Sequence, residues 1–368
     1  MSVQGQVDQG RAATPDAASA GGDRTRALAR LWEGVGAVRG PLIGLVALCL
    51  FLALATDTFW TARNLLNVLD QITVLGIMAI GMTFVILIGG IDLSVGSVLA
   101  LSMMVLGYLA NEATWPLGIA ILAALGVGGL CGLVSGVLIT SFALPAFIAT
   151  LAMMSIARGL ANMITDGQMI VGFPFWFSGL AIVRHFGAVT VTVGLMLLIT
   201  AIAFVYLRYR AGGRALYAIG GNPEVARLAG IHVGKATCAV YALSGALAGL
   251  AGVVLAARLD SAQPSAGFTY ELDTIAAVVI GGASLSGGTG GIGGTAIGVL
   301  IIGVLRNGLN LLGVSPFVQQ VIIGVVIAVA VAADSIKHHL AGLRRLRPGT
   351  AAPGDAPQGQ PGEHARQA

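Results

Sequence analysis

The amino-acid sequence predicts an all-α, polytopic membrane protein with about ten transmembrane helices, one or two of them broken or re-entrant, and both termini in the cytoplasm. Hydrophobic residues make up 56% of its 368 residues and charged residues only 10%, whereas soluble domains carry about 25% charged residues. Long segments contain no Asp, Glu, Lys or Arg, among them 71–91, 113–157 and 274–305. So little charge cannot cover a soluble fold, so the bilayer is the predicted solvent.

The ten predicted crossings follow these apolar segments in chain order. Each segment is close to the length of about 20 residues that a helix needs to span the hydrocarbon core, and the longest charge-free segment holds two crossings. The first crossing is short and the eighth is interrupted by glycine. The crossings centre on 42–57, 68–89, 93–110, 116–140, 146–164, 186–207, 237–257, 272–288, 293–312 and 316–334.

Basic residues predict the orientation. With a cytoplasmic N-terminus, fifteen of the 20 Lys and Arg residues lie near the two termini or in the loop 208–236, and such an excess marks cytoplasmic segments. The sequence therefore divides into a disordered cytoplasmic N-terminal tail at 1–39, a transmembrane domain at 40–335, and a basic juxtamembrane segment with a disordered C-terminal tail at 336–368.

Several other classes of protein are excluded. The net charge of +4 is dispersed along the chain, which argues against a nucleic-acid-binding face. The three cysteines lie singly in apolar segments, so neither a disulfide nor a metal site is expected. Gly288, Gly290 and Gly293 have dinucleotide-motif spacing, but the next acidic residue is Asp334, too far away for a ribose contact. We expect no cofactor, and interpret the glycine-rich stretch as a broken helix or re-entrant turn.

Two further sets of glycines have the spacing of close helix packing. Gly128, Gly132 and Gly136 repeat every four residues, as do Gly245 and Gly249. Small residues at this spacing allow helix backbones to approach closely within a membrane. Packing is therefore the predicted role of both sets.

The stretch GGNPEVARLAGI, at 220–231, is a polar segment within an apolar chain. Asn222 is a favoured N-cap, Pro223 suits the first helical position, Glu224 complements the helix dipole and Gly230 suits a left-handed C-terminal position. The predicted helix is about two turns long, too short to be stable alone. Contacts with the protein's own membrane helices or with a partner could stabilise it, and local physics favours neither.

Four blocks of sequence identify a resemblance. GGIDLSVGSVLAL at 89–101, ALPAFIATLAMMSIARGLA at 143–161, GGRALYAIGGNPEVARLAGI at 212–231 and the block 270–324 occur in this order. Together they resemble the membrane permeases of ribose-type ATP-binding cassette (ABC) sugar importers, over about 42–334. Branched-chain amino acid permeases are the nearest neighbouring group, but GGIDLSVGS and RNGLNLLG match the sugar permeases better.

The resemblance implies a permease subunit in the bacterial cytoplasmic (inner) membrane that carries a pentose or hexose inward. It implies a cytoplasmic ABC ATPase, which hydrolyses the ATP, so this chain is not itself an enzyme. It further implies an extracytoplasmic sugar-binding protein and a second permease subunit, most simply an identical copy, with lipid around the pair. The family's coupling helix, which docks in the ATPase, falls on Gly221, Asn222, Pro223, Glu224, Ala226, Arg227, Ala229 and Gly230.

Asp92 is the sole charged residue between Asp70 and Glu112. A charged side chain in the membrane is costly, so it should face protein, water or the interface. One interpretation is an N-cap for the helix that begins at LSVGS. The other places Asp92, Ser94 and Ser97 along the sugar path, where they would hydrogen bond to hydroxyl groups.

An alternative function is an ion-coupled secondary transporter of a small polar solute. Such a transporter places ionisable groups deep in its helices. Asp92, Arg158 and Arg306 are the candidates, and no carboxylate pair is apparent. Uptake by this chain alone, driven by an ion gradient, would favour this alternative, whereas an absolute requirement for an ATPase would exclude it.

Overall fold

The computed structural model describes residues 39–185 and 187–345, and most of this part of the chain is helical. Thirteen α-helices follow one another in the described residues, and four two-residue strands form two antiparallel pairs, β1 with β4 and β2 with β3. The predicted tails lie outside the described residues, except that Arg39 and 336–345 are helical. The helices are α1 Arg39–Ala55, α2 Ala62–Leu87, α3 Val95–Gly107, α4 Leu117–Ser141, α5 Ala146–Met163, α6 Phe175–Ile182, α7 Val191–Tyr209, α8 Ala211–Gly221, α9 Pro223–Leu228, α10 Val233–Leu259, α11 Tyr270–Ile280, α12 Ile292–Leu311 and α13 Pro316–Arg345; the strands are β1 Ile170–Val171, β2 Arg184–His185, β3 Val189–Thr190 and β4 Ser261–Ala262.

Seven of the described helices are long and apolar enough to cross a membrane: α2, α3 with a π-helical extension to Glu112, α4, α5, α7, α10 and α12. They coincide with seven of the ten predicted crossings, so a mainly helical polytopic fold is confirmed. The first and tenth predicted crossings coincide with shorter apolar helices, α1 and Pro316–Val329 of α13. The eighth contains α11, which has only 11 residues and ends at Ile280.

The predicted start of the sixth crossing is wrong. Residues 187–190 precede α7, and β2 pairs with β3 in an antiparallel contact that joins Arg184 to Thr190. The chain turns at Gly187, whose φ is +71°, a conformation that glycine adopts without strain. The Thr190 side chain then accepts a hydrogen bond from the Val193 N–H at 3.4 Å and caps α7. Charge-free composition alone could not separate this hairpin from the helix.

Helix α2 lies at the centre of the bundle and runs antiparallel to α12. Near the start of α2, Asn64 and Asn307 exchange two amide hydrogen bonds, of 3.0 and 2.9 Å. Near its end, the hydroxyl groups of Thr83 and Thr295 lie 2.7 Å apart. These pairs fix the register of the two helices, and both are buried. Such buried pairs favour a single register, because a shift of one helix along the other would leave buried polar groups without hydrogen-bond partners.

Helices α4 and α10 pack through glycine, as predicted. A Cβ on Gly128 would overlap the Gly245 carbonyl oxygen, and one on Gly132 would overlap the Tyr241 carbonyl oxygen. A Cβ on Gly136 would lie 2.8 Å from Cα of Cys238. The two predicted glycine sets therefore belong to a single antiparallel interface, because only glycine leaves room for the opposing backbone.

The bundle has two ends of different character. One end, here called the α9 end, contains α8, α9, the turn 88–94 between α2 and α3, and the non-helical segment 281–291 between α11 and α12. The opposite end contains the charged contacts of Arg184 with Asp70 and of Arg306 with Asp273. Candidate functional residues lie mainly at the α9 end.

Candidate functional site

Helix α9 is capped at both ends, as predicted. The Asn222 side chain accepts hydrogen bonds from the N–H groups of Glu224 at 2.9 Å and Val225 at 3.1 Å, and Pro223 occupies the first turn. At the other end, Gly230 has φ +83° and its N–H donates to the Arg227 carbonyl oxygen at 3.0 Å. These contacts satisfy backbone groups that would otherwise lack partners at helix termini.

The outer face of α9 is apolar and uncovered. Ala226 is 1% exposed and packs against the bundle, whereas Leu228 is 89% and Val225 59% exposed. Beside them, Glu224 and Arg227 form an ion pair of 2.9 Å on the surface. A surface pair contributes at most about 1 kcal/mol. The short helix therefore presents two large apolar side chains, and its own protein contact rests mainly on the small Ala226 side chain.

Asp92 closes a buried turn at the α9 end. Its Oδ1 accepts hydrogen bonds from the Ser94 N–H at 3.0 Å and the Ser94 hydroxyl at 2.6 Å. Its Oδ2 accepts from the Ser244 hydroxyl of α10 at 2.9 Å. Ser94 directly precedes α3 and makes no side-chain capping bond. Asp92, two residues before it, accepts from the Ser94 N–H as an N-cap side chain does, so the capping interpretation stays a prediction beside the sugar path. Asp92 also joins the turn to α10, which satisfies the carboxylate within the protein.

The same turn contacts a second helix through a backbone carbonyl group. The Ile91 carbonyl oxygen accepts from the Thr150 hydroxyl of α5 at 3.3 Å and from the Tyr241 hydroxyl of α10 at 3.4 Å. Thr150, Tyr241 and Ser244 were not singled out from the sequence. Their only signal is that they are hydroxyl groups in apolar helices, where such groups commonly bond across helix interfaces.

The predicted broken helix is present as a non-helical glycine segment, Gly281–Gly291, after α11. Its Gly288 N–H donates to the Leu87 carbonyl oxygen of α2 at 2.9 Å, and its Gly290 carbonyl oxygen accepts from the Tyr217 hydroxyl of α8 at 2.9 Å. Burial raises the pKa of the Tyr217 phenol, an effect that the charge of Arg208 partly offsets. The hydroxyl therefore remains protonated and available as a donor.

Comparison with known proteins adds to this geometry. Residues 64–331 match the family described as the permease component of branched-chain amino acid transport systems. The chain belongs to this permease family. The ribose import permease protein of Bacillus subtilis (strain 168) is 46% identical over 310 residues, which cover 83% of this chain and 95% of that protein. That of Escherichia coli (strain K12) is 46% identical over 300 residues, covering 80% and 93%.

A more distant relative of the permease is the fructose import permease protein of Rhizobium meliloti, 37% identical over 303 residues that cover 80% of this chain and 84% of that protein. No solved structure matches the chain. Because these relatives are sugar import permeases, the resemblance identified from the four sequence blocks is confirmed. The permease is a multi-pass protein of the cytoplasmic membrane.

The structure brings some of the predicted site residues of the permease together and separates others. The coupling positions are contiguous at the α9 end, and all except Ala226 are exposed. Asp92, Ser94 and Ser97 cluster, but they are only 1%, 1% and 2% exposed, so the described conformation encloses them in protein.

The two arginines considered for ion coupling lie at the opposite end from Asp92. Arg306 pairs with Asp273, a contact that the sequence did not predict. Arg158 donates to the carbonyl oxygens of Pro264 at 2.7 Å and Ala266 at 2.8 Å. The three charged candidates of the alternative function therefore do not form one site.

Proposed function

We propose that this permease is the membrane-spanning subunit of an ABC importer that carries a monosaccharide, a pentose or hexose, into the cytoplasm. The observation that carries the proposal is the 46% identity to a ribose import permease over 95% of that protein's length. The similarity to a fructose import permease supports a sugar substrate more broadly. ATP hydrolysis belongs to a separate subunit in this proposal.

The proposed topology has about ten crossings, with both termini and the loop 208–236 in the cytoplasm. The antiparallel contacts of α2 with α12 and of α4 with α10 support an alternating order of helices. The π-extended α3 and the short α11 with its glycine segment each complete one crossing. The excess of basic residues at both termini and in the loop supports a cytoplasmic location for the α9 end.

In this proposal α9 is the coupling helix that docks in the ATPase. Two features support the role: the helix is capped at both ends, and it presents Val225 and Leu228 to solvent. Exposed apolar side chains mark interaction sites when they are contiguous. A partner that covers them supplies the stabilising contact that a helix of six residues lacks on its own.

The proposed import cycle is one of alternating access. ATP binding closes the ATPase pair, and the coupling helices shift the membrane helices between inward-open and outward-open states. Such a shift requires a contact that differs in energy between the two states. A second permease copy completes the path, and a sugar-binding protein delivers its ligand at the end opposite α9.

We further propose that Asp92, Ser94 and Ser97 contact the sugar in another state of this cycle. Their enclosure in the described conformation requires that α3 and α10 separate at the Asp92–Ser244 contact before a sugar reaches them. Carboxylate and hydroxyl groups are suitable partners for sugar hydroxyl groups.

Reconstitution into proteoliposomes tests the proposed function. The permease, its ATPase and its binding protein should together accumulate labelled ribose or another monosaccharide only when ATP is supplied. The permease alone, given a proton or sodium gradient, should accumulate none. The matched control is the complex with a catalytically inactive ATPase, which should accumulate no sugar. Uptake by the permease alone with an ion gradient would overturn the proposal in favour of a secondary transporter.

A further inference from the structure

Helices α8 and α9 form one rigid unit, because a single residue both ends α8 and begins α9. The Asn222 N–H donates to the Ala218 carbonyl oxygen at 3.1 Å, which closes α8, while the Asn222 side chain caps α9. No linker separates the two helices. A displacement of α9 must therefore be passed to α8 rather than absorbed by a flexible connection.

At Gly220, helix α8 meets α2 and the glycine segment through direct backbone contact. A Cβ on Gly220 would overlap both the Leu87 carbonyl oxygen of α2 and the Gly288 nitrogen. A Cβ on Gly287 would lie 2.8 Å from the Gly89 nitrogen and 3.1 Å from Cα of Gly220. Four glycines, Gly89, Gly220, Gly287 and Gly288, thus bring three distant parts of the chain into direct contact. We call them the glycine junction.

Two hydrogen bonds hold the glycine junction together. The Gly288 N–H donates to the Leu87 carbonyl oxygen, which joins the glycine segment to α2, and the Tyr217 hydroxyl donates to the Gly290 carbonyl oxygen, which joins the segment to α8. Gly287 and Gly288 have φ values of +85° and +74°, which other residues adopt only with strain. Both the spacing and the backbone conformation therefore require glycine here.

The glycine junction is connected along the chain to helices of the bundle on two sides. On one side, Gly89 begins the turn in which Ile91 and Asp92 bond to α5 and α10. On the other side, the glycine segment is continuous with α11 and α12, whose ends touch where a Cβ on Gly281 would overlap the Gly294 carbonyl oxygen. The segment also borders a cavity of about 430 Å³, so one face is packed while the other has room for displacement.

We propose that the glycine junction is the point at which displacement of α8 and α9 is transmitted to the membrane helices during transport. Contact between backbones transmits displacement because no side chain lies between them to change rotamer, and closely packed elements shift between discrete arrangements. Gly220 is the positioning residue of the junction. The proposal rests on the proposed function, since it assumes that the ATPase moves α9.

The test uses the complete complex in proteoliposomes, with sugar uptake and ATP hydrolysis measured together. Gly220→Ala should still purify with the ATPase and hydrolyse ATP, but should transport at least tenfold less sugar per ATP. Gly293→Ala is the matched control, because this glycine lies nearby in α12 with nothing within 4 Å of an added Cβ. Gly293→Ala should transport as much sugar per ATP as the wild-type complex.

Tyr217→Phe provides a second arm if Gly220→Ala fails to fold. It removes the hydroxyl that bonds Gly290 without adding volume, and should lower sugar transported per ATP about threefold while the complex remains folded. If Gly220→Ala folds and transports as much sugar per ATP as wild type, the junction proposal alone is overturned. If only Tyr217→Phe folds, the same result in that variant overturns it. Failure of the wild-type complex to couple uptake to ATP would instead overturn the proposed function.

Discussion

Gly230 shows how a single residue can define the end of the proposed coupling helix. Its φ of +83° is left-handed, and nothing lies within 4 Å of an added Cβ. An added Cβ therefore acts through backbone strain and not through a clash. The sequence predicted this residue correctly because a C-terminal cap depends only on neighbours along the chain.

We predict that Gly230→Val lowers ATP-driven uptake by tenfold or more while the permease still reaches the membrane. A β-branched residue at a positive φ is strained by about 1–3 kcal/mol, enough to unwind a helix of six residues. Gly230→Asn is the control, because asparagine tolerates this conformation, and should keep most of the uptake. The measurement is uptake normalised to the amount of permease in the membrane; equal uptake by the two variants would contradict the prediction.

Asp92 illustrates what local sequence could not reveal. Its isolation in an apolar segment marked it as unusual, but its partner Ser244 lies 152 residues away. That pairing depends on the register between α2 and α10, which one sequence does not specify. The carboxylate is satisfied from α10 as well as from its own turn, so a capping role accounts for only part of its bonding.

We predict that Asp92→Ala destabilises the permease by about 1–3 kcal/mol for each buried group that it leaves unpaired, whereas Asp92→Asn keeps near-normal stability. Asparagine can accept from the Ser94 N–H and donate to the Ser244 oxygen. Thermal unfolding of the purified protein checks this, and equal stability of the two variants would contradict it.

The same Asp92→Asn variant tests the proposed sugar path. Loss of the negative charge should slow uptake at saturating sugar by about tenfold, the equivalent of about 1.4 kcal/mol and close to the lower limit of about 1.5 kcal/mol for a hydrogen bond to a charged group. The comparison is with wild type at equal membrane abundance. Unchanged uptake would remove Asp92 from the path and leave it a purely structural residue.

At the scale of elements, glycine spacing predicted close packing but not which helices pack together. Gly132 of α4 and Gly245 of α10 were recognised separately, and the structure shows that their helices share one interface. The eighth crossing was similarly predicted to be interrupted, yet its contacts with Leu87 and Tyr217 were not foreseen. Non-local contacts of this kind require the three-dimensional arrangement.

We predict that Gly132→Ala destabilises the permease by about 1–3 kcal/mol, the usual cost of overpacking. An added Cβ would overlap the Tyr241 carbonyl oxygen and force α4 away from α10. Gly126→Ala, in the same helix with nothing within 4 Å, should be neutral or stabilising by up to about 1 kcal/mol, because alanine favours a helix. Denaturation by SDS in mixed micelles measures both, and similar losses would contradict the predicted interface.

Across the whole molecule, burial separates an inner group of helices from an outer group. In α2, 78% of an apolar 18-residue stretch is buried, and in α3 and α10 the buried share of the corresponding stretch is 67%. In α4, α5 and α7 the buried share is only 22% to 28%. Hydropathy does not show this difference, because α4 has a mean hydropathy of 2.3 and α2 of only 1.8. Lipid and protein interior are both apolar, so sequence alone predicted the crossings but not their layers.

We therefore predict that truncating an apolar side chain destabilises the permease more in the inner helices than in the outer helices. Leu99→Ala in α3, where Leu99 is fully buried, should cost about 2–5 kcal/mol. Leu122→Ala in α4, where Leu122 is 69% exposed, should cost less than about 1 kcal/mol, since lipid tails fill the space. SDS denaturation of the purified permease compares the two. An equally large loss at Leu122 would mean that protein covers this face of α4, and because the proposed importer contains two permease subunits, the covering surface would then be sought in the second copy.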